Sequence, residues 1–213
     1  MNDHSEYLGQ LAEIRRMMEN SSKFMSLSGF SGVFIGIYAL CGSFFAWKIV
    51  HSIQLADEQK VFLLLLTALV VLFAALATAV LLTARKSKKL RQPLWGTGSK
   101  QLLSCLLVPL ITGGIFVLIL VIKGQYESVA SSLLIFYGLA LTCASRFVTR
   151  ELFFMGVIQI GLGLAAAFLN QYGLILWAAG FGLVHIIYGI YMYLKYEMNS
   201  KTARREKHYQ TPG

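Results

Sequence analysis

A chain of 213 residues in which 56% are hydrophobic and only 14% charged is too apolar to be read as an ordinary water-soluble domain. Its net charge of +9 sits on a few short segments, which argues for sidedness in a membrane and against nucleic-acid binding. Cys41, Cys105 and Cys143 form no metal-ligand spacing and no disulfide framework, so neither a metal centre nor a cofactor is expected, and the three read as apolar packing residues.

The first 26 residues are polar or amphipathic. Tyr7, Leu11, Ile14, Met18 and Met25 recur at helical spacing, and Asp3 followed by Glu6 fits a capping box. An amphipathic helix over 1–26 is predicted, lying in the membrane interface or offering a face for a protein partner or for self-association. Its polar side mixes Glu6, Glu13, Arg15, Arg16 and Glu19, so attraction to anionic lipid there is weak.

Six apolar stretches follow, over 27–50, 61–84, 102–122, 129–147, 152–169 and 173–194. At ~1.5 Å of rise per residue each is long enough to cross a hydrocarbon core of roughly 30 Å. Lys48 and Arg146 are the only Lys or Arg inside them, both near an end where a long side chain reaches water. The expected architecture is all-α: a single polytopic membrane domain over 27–194 with a basic tail over 195–213. The first stretch is too long, and begins too late, for a cleaved secretory signal, so it is expected to remain as an anchor.

Sixteen of the 19 Lys and Arg residues fall before the first span, in the second loop, at the fourth turn (Arg146 and Arg150) and after the sixth span. The positive-inside rule then puts both termini in the cytoplasm, consistent with an even number of crossings. The second loop is the most basic. Arg85, Lys86, Lys88, Lys89 and Arg91, with the interfacial Trp95, form an expected contact for anionic lipid. Gly96-Thr97-Gly98-Ser99-Lys100 lacks the Gly-Lys-Ser/Thr order and the preceding strand of a phosphate loop. Compactness and the lack of eukaryotic targeting signals suggest a bacterial inner membrane.

Small residues mark close helix approaches. Ser28, Gly32 and Gly36 form one such stripe. Gly156-x-x-Gln159-x-x-x-Gly163 and Gly182-x-x-His185-x-x-x-Gly189 share a spacing in the fifth and sixth stretches, which only Asn170, Gln171 and Tyr172 connect. An antiparallel hairpin would bring Gln159 level with residue 183, so a hydrogen bond between Gln159 and His185 across a glycine-faced seam is expected. Tyr38, Thr112, Tyr137 and Tyr188 lie at similar depth and complete a candidate mid-membrane polar cluster. Pro109 with Gly113 and Gly114 predicts a break in the third span.

No Asp or Glu lies within the stretches, which argues against ion-coupled transport. No nucleophile, base and orienting carboxylate share a depth, so catalysis is not expected. Two functions remain. One is a non-enzymatic scaffold, sensor or regulatory partner acting through the cytoplasmic face; the other is a small channel or transporter for a neutral or weakly charged solute, lined by Gln159 and His185.

Overall fold

The computed structural model describes residues 29–90 and 97–198; the expected amphipathic helix, Ser28, Arg91, Trp95 and the tail beyond 198 lie outside them. Within these residues the chain is all-helical. The helices are α1 (Gly29–Val50), α2 (Asp57–Leu90), α3 (Thr97–Ile122), α4 (Val129–Ala144) and α5 (Arg150–Phe168). A sixth crossing is composite: α6 (Gly173–Ala178), a π-helical stretch (Ala179–Val184), α7 (His185–Met192) and a second π-helical stretch (Tyr193–Met198). Six helices are thus long and apolar enough to cross a membrane.

Local sequence explains the ends. Asp57 and Glu58 open α2, where negative charge complements the helix dipole, and Lys60 pairs with Asp57 at 3.6 Å. α3 stops at Gly124, whose φ of 71° favours a residue without a Cβ. The Gly124 amide then donates to the Val121 carbonyl at 3.0 Å and the Gln125 amide to Leu120 at 2.9 Å, the double closure of a Schellman motif. Single-turn 3₁₀ segments at Tyr126–Ser128, Ser145–Phe147 and Asn170–Tyr172 make the α3–α4 and α4–α5 connections and the one from α5 to the sixth crossing tight.

The helices do not pack in chain order. The sixth crossing lies between α1 on one side and the α4–α5 pair on the other. α2 packs on the outside of α1, and α3 on α4 with its flanking turns, so two consecutive helices occupy opposite flanks. The best-packed apolar cluster joins Leu102, Leu141, Ala144, Val148, Leu152 and Met155 where α3, α4 and α5 meet. Without water in a hydrocarbon core, such packing relies on close fit and dispersion more than on the hydrophobic effect.

Glycine supplies that fit at two antiparallel seams. In the first, α1 meets the sixth crossing: a Cβ on Gly36 would lie 2.6 Å from the Gly182 carbonyl oxygen, and one on Gly189 2.6 Å from the Val33 nitrogen. Gly32 belongs to the same seam, its virtual Cβ 3.1 Å from the Gly189 Cα. In the second, α4 meets α5: a Cβ on Gly156 would lie 2.8 Å from the Gly138 carbonyl oxygen, and one on Gly163 2.9 Å from the Ile135 nitrogen. The glycines flanking Gln159 and His185 therefore do not face each other. They turn to α4 and to α1, a correction to the expected seam between the fifth and sixth spans.

α3 also differs from expectation. It runs as continuous α-helix through Pro109. Gly113 is a packing position, where a Cβ would lie 2.5 Å from that of Phe136, whereas Gly114 faces open space. The backbone irregularity lies instead in the sixth crossing, at Ala179–Val184.

Candidate functional site

A π-helical turn widens the backbone ring by one residue and loosens the usual ladder of hydrogen bonds. Here it contains Gly180, whose carbonyl oxygen collects two side-chain donors. The Gln159 amide nitrogen donates to it at 2.8 Å from α5, and the His185 ring nitrogen Nδ1 lies 3.0 Å away. A carbonyl only accepts, so the imidazole proton resides on Nδ1 and Nε2 is left with a lone pair. The Tyr137 hydroxyl of α4 lies 2.7 Å from Nε2 and donates to it. Tyr137 to His185 to Gly180 is therefore a directed chain of hydrogen bonds, joined at its last acceptor by Gln159.

Gln159 is fully buried and His185 is 3% exposed. Tyr137 stacks on His185 with ring centroids 5.4 Å apart, and Phe181 covers the imidazole at 5.8 Å with an interplanar angle of 11°. Trp177 extends this aromatic layer, 5.0 Å from Phe181. Gly180 is closely covered by side chains: a Cβ there would meet the Gln159 amide oxygen and, at 2.5 Å, Leu134 Cδ2. One polar atom of the cluster is unsatisfied: Gln159 Oε1 is buried without a hydrogen-bond partner.

Of the six residues expected at mid-depth, the structure brings Tyr137, Gln159 and His185 together. Gln159 and His185 meet through Gly180 and not by bonding to each other. Tyr188 lies one turn further along α7 and packs on the α3–α4–α5 apolar cluster. Tyr38 faces the other way, its hydroxyl 3.4 Å from Thr78 Oγ1 of α2. Thr112 is exposed and bonds back to the Val108 carbonyl of its own helix at 2.8 Å. Gly180, Phe181 and Trp177 were not anticipated; the signal for Gly180 was its place among small residues beside two buried polar side chains.

The arrangement orients and buries polar groups. Among the described residues no group of three or more His, Cys, Asp and Glu could hold a metal ion. Of the residues expected at anionic lipid, Arg85, Lys86 and Lys88 lie in the last turns of α2, and Lys89 belongs to the same helix. At the α5 end of the molecule Glu151 forms an ion pair with Lys195 of the sixth crossing.

The fold and site define an all-helical chain with six helices able to cross a membrane and a polar cluster closed over at the junction of α4, α5 and the sixth crossing. No protein-family model, curated protein or solved structure matches it.

Proposed function

We propose that this chain is a non-enzymatic six-span protein of a bacterial inner membrane, with both termini cytoplasmic, that acts as a scaffold or regulatory partner through its basic cytoplasmic face. The observation that carries the reading is α2. It has 34 residues, and none of its most apolar window is buried inside the molecule. At ~1.5 Å per residue such a helix measures about 50 Å, well beyond a hydrocarbon core of roughly 30 Å. The excess falls at the end carrying Arg85, Lys86 and Lys88, which forms a basic stem able to meet anionic lipid or an acidic partner. The amphipathic segment 1–26, which lies outside the described residues, is the second proposed docking element, and the sixth crossing with α1, α4 and α5 serves as the rigid anchor.

A solute path through Gln159 and His185 is the competing function. Both side chains are buried and turned inward to one backbone carbonyl, with Phe181 stacked on His185, which supports an anchor over a lining. Reconstitution into liposomes, combined with a photocrosslinker at Lys88 in cells, separates the two. The scaffold reading expects no solute flux above protein-free liposomes and one discrete crosslinked partner. Flux that His185→Leu abolishes would replace it with transport.

A further inference from the structure

The apolar cluster at the junction of α3, α4 and α5 is flanked by three cations that form no ion pair among the described residues. Lys100 lies two residues before Leu102, Arg146 two before Val148 and Arg150 two before Leu152, and all three of these apolar residues belong to that one cluster. The Ser145–Phe147 turn that holds Arg146 packs against both α3 and α5, so the three cations lie at the same end of the molecule, close to one level along the helices. All three are exposed. The carboxylate nearest in sequence, Glu151, is engaged by Lys195 from the sixth crossing. Among the described residues no acidic group pairs with Lys100, Arg146 or Arg150.

From this juxtaposition we propose that Lys100, Arg146 and Arg150 form a binding site for the headgroup of an anionic phospholipid, separate from the basic end of α2. The proposal rests on reading the six helices as membrane spans. Arginine offers phosphate a planar, bidentate set of donors, and the Arg150 guanidinium is steadied over the Phe154 ring at 5.9 Å. Further along the same helices, Leu103, Leu107, Phe153 and Val157 are 41 to 46% exposed and give acyl chains an apolar surface directly below the cations. Charge above and apolar surface below is the chemistry of a lipid and not of a soluble anion.

The test uses the full chain in nanodiscs of phosphatidylcholine containing a small share of phosphatidylglycerol, released into native mass spectrometry. The wild-type chain is expected to retain phosphatidylglycerol in excess over its share. Each of Lys100→Gln, Arg146→Gln and Arg150→Gln is expected to weaken retention about fivefold. Arg85→Gln/Lys86→Gln/Lys88→Gln is expected to leave this tightly held lipid in place. Retention unchanged in the Lys100, Arg146 and Arg150 variants, or lost equally in the α2 variant, overturns the site. Displacement of the lipid by millimolar inorganic phosphate overturns the lipid assignment in favour of a soluble phosphate ligand. Circular dichroism of each variant monitors folding, and failure to enter nanodiscs at all would contradict the membrane reading and not the lipid site.

Discussion

Gln159 and His185 share one acceptor: both side chains donate to the Gly180 carbonyl, at 2.8 and 3.0 Å, from different helices. The π-helical turn and the polar cluster are thus one structure. Gln159 and His185 hold Gly180 in the irregular turn, and the turn presents the oxygen on which both depend. Such a latch ties α5 to the sixth crossing where simple glycine-to-glycine packing is absent.

Gly180→Ala is predicted to destabilise the cluster moderately, because the atoms it crowds are side-chain ends. Its Cβ would enter the space of the Gln159 amide and Leu134, and overpacking of this kind costs about 1–3 kcal/mol. A lowered thermal unfolding midpoint in detergent, with Gly161→Ala unchanged or raised because open space surrounds this mid-helix glycine, is the expected pair of results.

The three side chains of the cluster should not be equivalent. Gln159→Leu leaves the Gly180 carbonyl bonded to His185 and removes the unpartnered Oε1, so its cost should stay near the ~0.6 kcal/mol typical of interhelical hydrogen bonds in membranes. His185→Leu strands the Tyr137 hydroxyl and Tyr137→Phe strands Nε2, each leaving a buried polar group unsatisfied at about 1–3 kcal/mol. A double-mutant cycle of Tyr137→Phe with His185→Leu should recover part of the loss. Additive costs would contradict the hydrogen bond.

The seam between α1 and the sixth crossing gives a further contrast. In Gly189→Ala the new Cβ meets backbone atoms of Val33 and Gly29, which cannot yield as a side chain can. In Gly114→Ala it meets nothing, and replacing a mid-helix glycine gains about 0.5–1 kcal/mol of helix propensity. Unfolding midpoints should therefore fall for Gly189→Ala and hold or rise for Gly114→Ala.

The six helices were legible because length and hydropathy are local properties. Their ends were not, since charged residues such as Asp57, Arg85 and Lys100 continue the same helices beyond the apolar stretches. Direction around the helix axis depends on which neighbours pack, and this turned Tyr38 to Thr78 and left Thr112 outside. Gly182 and Gly189 belong to a seam with α1, a partner nearly the whole chain away in sequence. The π turn left no mark in hydropathy, whereas Pro109 and its glycines gave a conspicuous signal that α3 absorbs without interruption.

The central claim is that the mid-span polar cluster is a closed anchor and that the chain works at its surfaces. Thiol labelling tests this most directly. Cysteines are placed singly at Gln159 and at His185 in a background with Cys41, Cys105 and Cys143 replaced by alanine, with Ile53→Cys in the α1–α2 connection as an exposed control, and a small membrane-impermeant thiol reagent is applied from each side. The account predicts no labelling at 159 or 185 from either side in the folded protein. Efficient labelling at either position would show that water reaches the cluster and would contradict the closed anchor.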